Sequence, residues 1–284
     1  MLRLLGGREI SNISISGIAF NPMQFPLRYN NLVELSLPPM SSGRALLLLS
    51  HCPALRTCQL KIRGSGDSGS ARGPIIEHAL VHKLRVDVLG SLRVAVRELF
   101  GRLSFPELRH LTVTAGGRSI REVDHVHYSP CFFAAAPRVE SLEIDLEMFS
   151  KSTLTLFLCG IRPTVQTLRT NTARRDIDIF DDDVLDVLVA SPSLSGLQEL
   201  EINGCRSSSD EALLNFIQIG TSVGFLDALK RVEVFFVREM QVDILPKLQP
   251  LVERGLSIEL HYSTPSIYAF SPWQGLEDDS DTLT

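Results

Sequence analysis

One spacing recurs along the whole 284-residue chain: apolar residues at positions i, i+3 and i+5. It is clearest at 197–205, Leu-Gln-Glu-Leu-Glu-Ile-Asn-Gly-Cys, where Leu197, Leu200 and Ile202 precede Asn203-Gly204. The same skeleton stands at Ile10, Ile13, Ile15; Leu32, Leu35, Leu37; Leu55, Cys58, Leu60; Val81, Leu84, Val86; and Leu108, Leu111, Val113. It continues at Val139, Leu142, Ile144 and Leu229, Val232, Val234, with a weaker unit at Val165, Leu168, Thr170. A last unit, Gly255, Ile258, Leu260, has lost its first apolar position. The starts lie 22 to 32 residues apart. The second and third positions are two residues apart, so they share one face of an extended segment. Such a unit cannot bury its apolar face alone, but a stack of units can.

Pro53, Pro106, Pro137 and Pro163 each stand two residues before a first apolar position. Proline fixes φ and lacks a donor, so these four mark one loop-to-strand corner in successive units. Between the strands lie apolar runs at helical spacing. They predict helices over 41–52, 91–103, 148–161, 181–190, 209–217 and 241–254. Ser209 is expected as an N-cap and Gly255 as a stop, and Pro246 with Pro250 should break the last helix. The acids at 181–183 suit a helix N-terminus.

The alternation of short strand and short helix puts the strands parallel in one sheet. The spacing L-x-x-L-x-L followed by Asn-Gly resembles the strand half of a leucine-rich repeat. The expectation is an α/β leucine-rich-repeat solenoid of about ten irregular repeats. Its curved parallel sheet would line the concave side and its helices the convex side. The solenoid should cover 1–262, interrupted by a flexible Gly/Ser loop at 64–73. Residues 263–284 read as a disordered tail, acidic from about 275.

At 44% hydrophobic and 21% charged, the composition is that of an ordinary folded domain. No apolar run approaches the ~20 residues that span a bilayer, so no membrane is expected. Met1–Gly7 is too short for a secretory signal, and the five scattered cysteines point to buried thiols in a cytoplasmic or nuclear protein. A net charge of −5 argues against nucleic acid as a partner.

Candidate chemistry is weak. Gly66-Asp67-Ser68-Gly69 resembles a serine-protease nucleophile loop, but no barrel pattern surrounds it and His51 lies close by in sequence. Asp124, His125 and His127 lack the further ligands of a zinc site. The acids Asp176, Asp178, Asp181, Asp182, Asp183 and Asp186 lack the order of a calcium loop. No phosphate-binding glycine motif occurs. Neither enzyme activity, cofactor nor metal is expected.

The better candidate is the concave face. Strand alternation puts polar residues there in nearly every unit, and a one-residue slip would bury them. Partner contacts are expected from Lys83, Arg85, Glu143, Asp145, Arg169, Glu199, Glu201, Arg231, Glu233, Phe235 and Glu259. The C-terminal half of this set is acidic, which implies a protein partner with a basic segment. Phe235 is the one large apolar member and a candidate anchor.

The units Pro-Glu-Leu-Arg-His-Leu-Thr-Val (106–113), Pro-Arg-Val-Glu-Ser-Leu-Glu-Ile (137–144) and 197–205 resemble the repeat region of F-box proteins. The likeness is to the divergent ones of mushroom-forming fungi, and it covers about residues 10–262. It implies a substrate-receiving part of an SCF ubiquitin ligase. In that family an N-terminal F-box, opening on a Leu-Pro-x-Glu segment, docks a Skp1-type adaptor. Here Met1 is followed almost at once by the first repeat strand. The adaptor is therefore expected only if an F-box lies upstream. The alternative is an intracellular repeat scaffold with no ubiquitin role.

Overall fold

The structure, a computed structural model, describes residues 11–14, 29–63, 74–89, 98–115, 129–172, 179–190, 194–224 and 226–263. Its main sheet runs β1 (Asn12–Ser14), β2 (Glu34–Ser36), β4 (Thr57–Arg63), β6 (Lys83–Val88), β8 (His110–Ala115) and β9 (Ser141–Asp145). It continues through β10 (Thr167–Asn171), β11 (Glu199–Cys205), β12 (Arg231–Phe236) and β13 (Ser257–Tyr262). The short β3 (Met40–Ser41) adds to β4, and a separate pair joins β5 (Ile76–Glu77) to β7 (Leu103–Ser104). Among the described residues every pairing is parallel and the sheet is open, with β1 and β13 at its ends.

The register is the one the spacing demands. Leu35, Cys58, Leu84, Leu111, Leu142, Leu168, Leu200 and Val232 pair in turn across the sheet, all at most 3% exposed. Burying each such side chain stabilises by roughly 1.5–3 kcal/mol. The end members Ile13 and Ile258 are only partly buried, as each edge strand has one neighbour among the described residues.

The prolines have a sharper role than loop punctuation. Leu55, Leu108 and Val165 donate their amides to the carbonyls of Cys52, Phe105 and Arg162, at 3.3, 3.2 and 3.0 Å. Each closes a β-turn with Pro53, Pro106 or Pro163 at its second position, where a φ near −65° is required and the missing N–H costs nothing. The same bond recurs without proline at Leu32, Val81, Leu197 and Leu229. After each turn one carbonyl accepts two successive amides of the next unit. Val33, Arg56, His82, Arg109, Glu140, Gln166 and Gln198 all serve in this way. So the corner and the strand start repeat as one hydrogen-bonded piece.

The helices are α1 (Ser42–Leu49), α2 (Ser129–Ala135), α3 (Lys151–Cys159), α4 (Asp182–Ala190), α5 (Asp210–Val223) and α6 (Leu245–Glu253). From α2 to α6 each packs beside the next in chain order. Ser209 caps α5 by accepting the Ala212 amide at 3.0 Å, as expected. Ser150 and Thr153 form a reciprocal capping box on α3. Gly224 and Gly255 have φ of +86° and +104°, so the chain leaves α5 and α6 through left-handed residues.

Several expectations need correcting. The last helix is one continuous helix, shorter than 241–254. Pro246 sits in its first turn, where no donor is needed, and Pro250 costs it one bond on an exposed flank. The segment 148–161 divides into a 3-10 turn, Leu146–Met148, and α3. Leu103 lies in a strand rather than a helix, and Leu47, Leu156 and Cys159 are exposed. The last unit does recover an apolar residue before its strand, since Leu256 is buried. The Gly/Ser loop, residues 91–97, Asp124, His125, His127, Asp176, Asp178 and the tail from 264 lie outside the described residues.

Candidate functional site

Each strand turns its apolar pair toward the core, so the alternate residues form rows on the opposite, open face. The first row reads Glu34, Thr57, Lys83, His110, Ser141, Thr167, Glu199, Arg231 and Ser257. The second reads Ser36, Gln59, Arg85, Thr112, Glu143, Arg169, Glu201, Glu233 and Glu259. Phe235 pairs between Asn203 and His261 in a third row. Ten of the eleven expected contact residues thus share one accessible surface.

Asp145 does not, and this corrects its assignment. Alternation places it in the third row, but the chain turns there into the 3-10 turn. Its carboxylate folds inward to accept the amides of Ala115 (3.1 Å) and Glu147 (3.0 Å), at 5% exposure. Burial outweighs those two amides and pushes its carboxyl above the usual range. Asp145 is a cap, not a contact residue.

The centre of the face is a connected polar network. Thr112 donates to Glu143 at 3.2 Å, and Asn171 donates to the same carboxylate at 2.7 Å. Asn203 donates to Asn171 and to Glu201, both at 3.0 Å. Arg169 closes the run 3.1 Å from Glu201 and 3.9 Å from Glu199. These side chains are held in place before any partner arrives, which lowers the ordering cost of binding.

At the C-terminal end Arg231 lies 2.8 Å from Glu233 and 3.3 Å from Glu259, while His261 faces the other oxygens of both, at 3.4 and 4.0 Å. The ring of Phe235 stacks on His261 with centroids 4.3 Å apart. Among the described residues, Glu233, Glu259 and His261 are the group whose donor atoms come close enough to hold a metal ion. The Arg231 guanidinium already supplies positive charge there. From β9 to β13, Glu143, Glu199, Glu201, Glu233 and Glu259 face two guanidiniums, Arg169 and Arg231. Three negative charges are left over.

On β6, Asp87 receives Arg85 (2.9 Å), Thr114 (2.6 Å) and Gln59 (3.3 Å). Burial alone would raise its carboxyl; those three donors outweigh it and hold it below the usual range. The acids before α4 are likewise engaged. Lys151 bridges Asp181 and Asp183, and Asp182 accepts the Ser209 amide and hydroxyl at 2.6 and 2.8 Å.

The sequence places Asp210 at the start of α5 but does not show its role. It is fully buried and accepts from Arg238 (2.7 Å), the amides of Gln241 and Val242 (both 2.8 Å), and Tyr262 (3.0 Å). Arg238 also reaches the Ser208 carbonyl at 2.6 Å and covers the Phe236 ring at 4.2 Å. Its partners stand 28 to 52 residues away, so no local spacing announces the group. The arrangement ties together the last three units of the sheet and is a structural clasp.

Among known proteins, the chain matches no family model, and no curated protein is significantly similar to it. Among the described residues no helix is long and apolar enough to cross a membrane.

Proposed function

We propose that this chain is a non-enzymatic protein-binding scaffold, a leucine-rich-repeat solenoid that holds a partner's basic segment against the acidic half of its open face. The observation that carries this is the row register. Five carboxylates and two guanidiniums stand on neighbouring strands β9 to β13, pre-arranged by hydrogen bonds and accessible. Such a surface recognises by charge and hydrogen bonding, and it steers a cationic segment from a distance. In-order packing of each unit on the next supports the repeat reading. The resemblance of units 106–113 and 137–144 to F-box repeat regions supports a more specific role, the reception of a ubiquitin-ligase substrate.

The test is affinity capture with mass spectrometry, comparing the parent chain with Glu199→Lys/Glu201→Lys. The double reversal should weaken capture of its partner about tenfold at low salt and flatten its salt dependence. Equal recovery by both chains would reject this face. Co-purification of a Skp1-type adaptor with the full-length gene product separates the ligase role from that of a plain scaffold.

A further inference from the structure

The opposite half of the same face carries the opposite charge. Lys61 and Lys83, on β4 and β6, and Arg56, at the edge of the face just before β4, make no ion pair or side-chain hydrogen bond among the described residues. Their neighbours are already matched: Arg85 with Asp87 at 2.9 Å, Arg109 with Glu140 at 2.6 Å, and Arg138 with Glu107 at 2.5 Å. Glu34, one strand away, offsets part of this charge. Beside Arg56, at the edge of the face where β4, β6 and β8 begin, lies a cavity of about 410 Å³, lined also by Ala79, Leu80, His82, Glu107 and Arg109. Leu80 is 49% exposed there, which gives the basic rim an apolar seat. Between the two charged halves, the first row is neutral at Ser141 and Thr167.

From this we infer that the occupant of the face is a charge-bipolar protein segment. Its acidic end, carrying an apolar side chain, lies over β4 and β6, and its basic end lies over β10 to β13. The inference rests on the scaffold reading above and adds the second half of the recognition. Three inter-strand steps separate β6 from β10, about 14 Å at the usual spacing of ~4.8 Å. An extended chain covers that span in about 4 residues. The two charge blocks are therefore separated by about that number of neutral residues. A reversed placement sets like charge on like charge at both ends, so the face also selects direction.

Three fluorescent peptides test this by anisotropy at low salt. One has a Leu-containing Asp/Glu block, about four neutral residues and a Lys/Arg block. The second keeps only the basic block, and the third brings the two blocks together without the spacer. The bipolar peptide should bind the parent chain roughly three- to tenfold more tightly than either of the others. Arg56→Glu/Lys83→Glu should abolish that advantage while binding the basic-only peptide at least as tightly as the parent does, which also shows that the variant is folded. If the basic-only peptide binds the parent and the bipolar one gains nothing, or if the advantage survives the double variant, the inference falls alone. If no peptide binds the parent, the scaffold reading falls with it. A salt-sensitive dimer in sedimentation, lost in the double variant, would assign the face to a second copy of the chain and overturn the inference.

Discussion

Asp210 shows how much one side chain can hold. Its carboxylate is fully buried, yet five donor groups outweigh burial and keep it below the usual carboxylate range. Removing one partner of such a pair leaves the other buried and uncompensated. Asp210→Ala should therefore cost about 3–5 kcal/mol, measured as a fall in urea midpoint. The double variant with Arg238→Ala should cost less than the two single losses together, because the pair acts as a unit. The pH dependence has a definite sign. A folded-state pKa below the unfolded value near 3.9 gives stability that is present above that value. It is lost as pH falls through the depressed one, so Asp210→Asn should flatten the acid limb of the stability curve. None of this was legible from residue spacing. Asp145 marks a related limit: alternation assigned it to the open face because the pattern cannot register where a strand gives way to a 3-10 turn.

At the scale of elements, the ten strands of the main sheet follow from the spacing, because their period of two is also the period of burial, whereas β3, β5 and β7 do not. Leu142, Leu168, Leu200 and Val232 had to face one way if any did. The helix limits were less legible, since ends depend on caps such as Asp181 and on turns that the apolar rhythm runs straight through. The turn before each strand was half visible. Proline marks it in four units, three of which close the turn's hydrogen bond, and the same bond recurs in four units without a proline. The close stacking of these turns sets its own requirement. At Gly196 an added Cβ would meet the Pro163 carbonyl oxygen at 2.0 Å, so the turn before β11 rests directly on the one before β10. Backbone cannot step aside as a flexible side chain would. Gly196→Ala should destabilise by about 1–3 kcal/mol, seen as a lower thermal midpoint. Gly43→Ala, where nothing lies within 4 Å of the added atom, should raise α1 stability by up to about 1 kcal/mol and serves as the control.

For the molecule as a whole, what matters is that contact runs along one dimension. The strands pair in chain order and the helices from α2 onward neighbour their successors, so each unit leans on the one before and the one after. In such a stack the interior units are held from two sides and the ends from one. Ile13 at one edge, and Ile258 and Leu260 at the other, stay partly exposed, whereas their counterparts on β8, β9 and β11 are about 1% exposed. The clasp at Asp210 partly offsets this at the C-terminal end, because Tyr262 of β13 donates into it. Local opening should therefore follow position in the stack, with the N-terminal edge weakest. Hydrogen exchange read by mass spectrometry should show slowest exchange in β8 to β11, faster exchange in β13 and fastest in β1 and β2. Asp210→Ala should speed exchange in β12 and β13 while leaving β6 and β8 unchanged. Uniform exchange along all strands would mean that the molecule opens as one cooperative body, and a unit-by-unit stack would then be the wrong description of its stability.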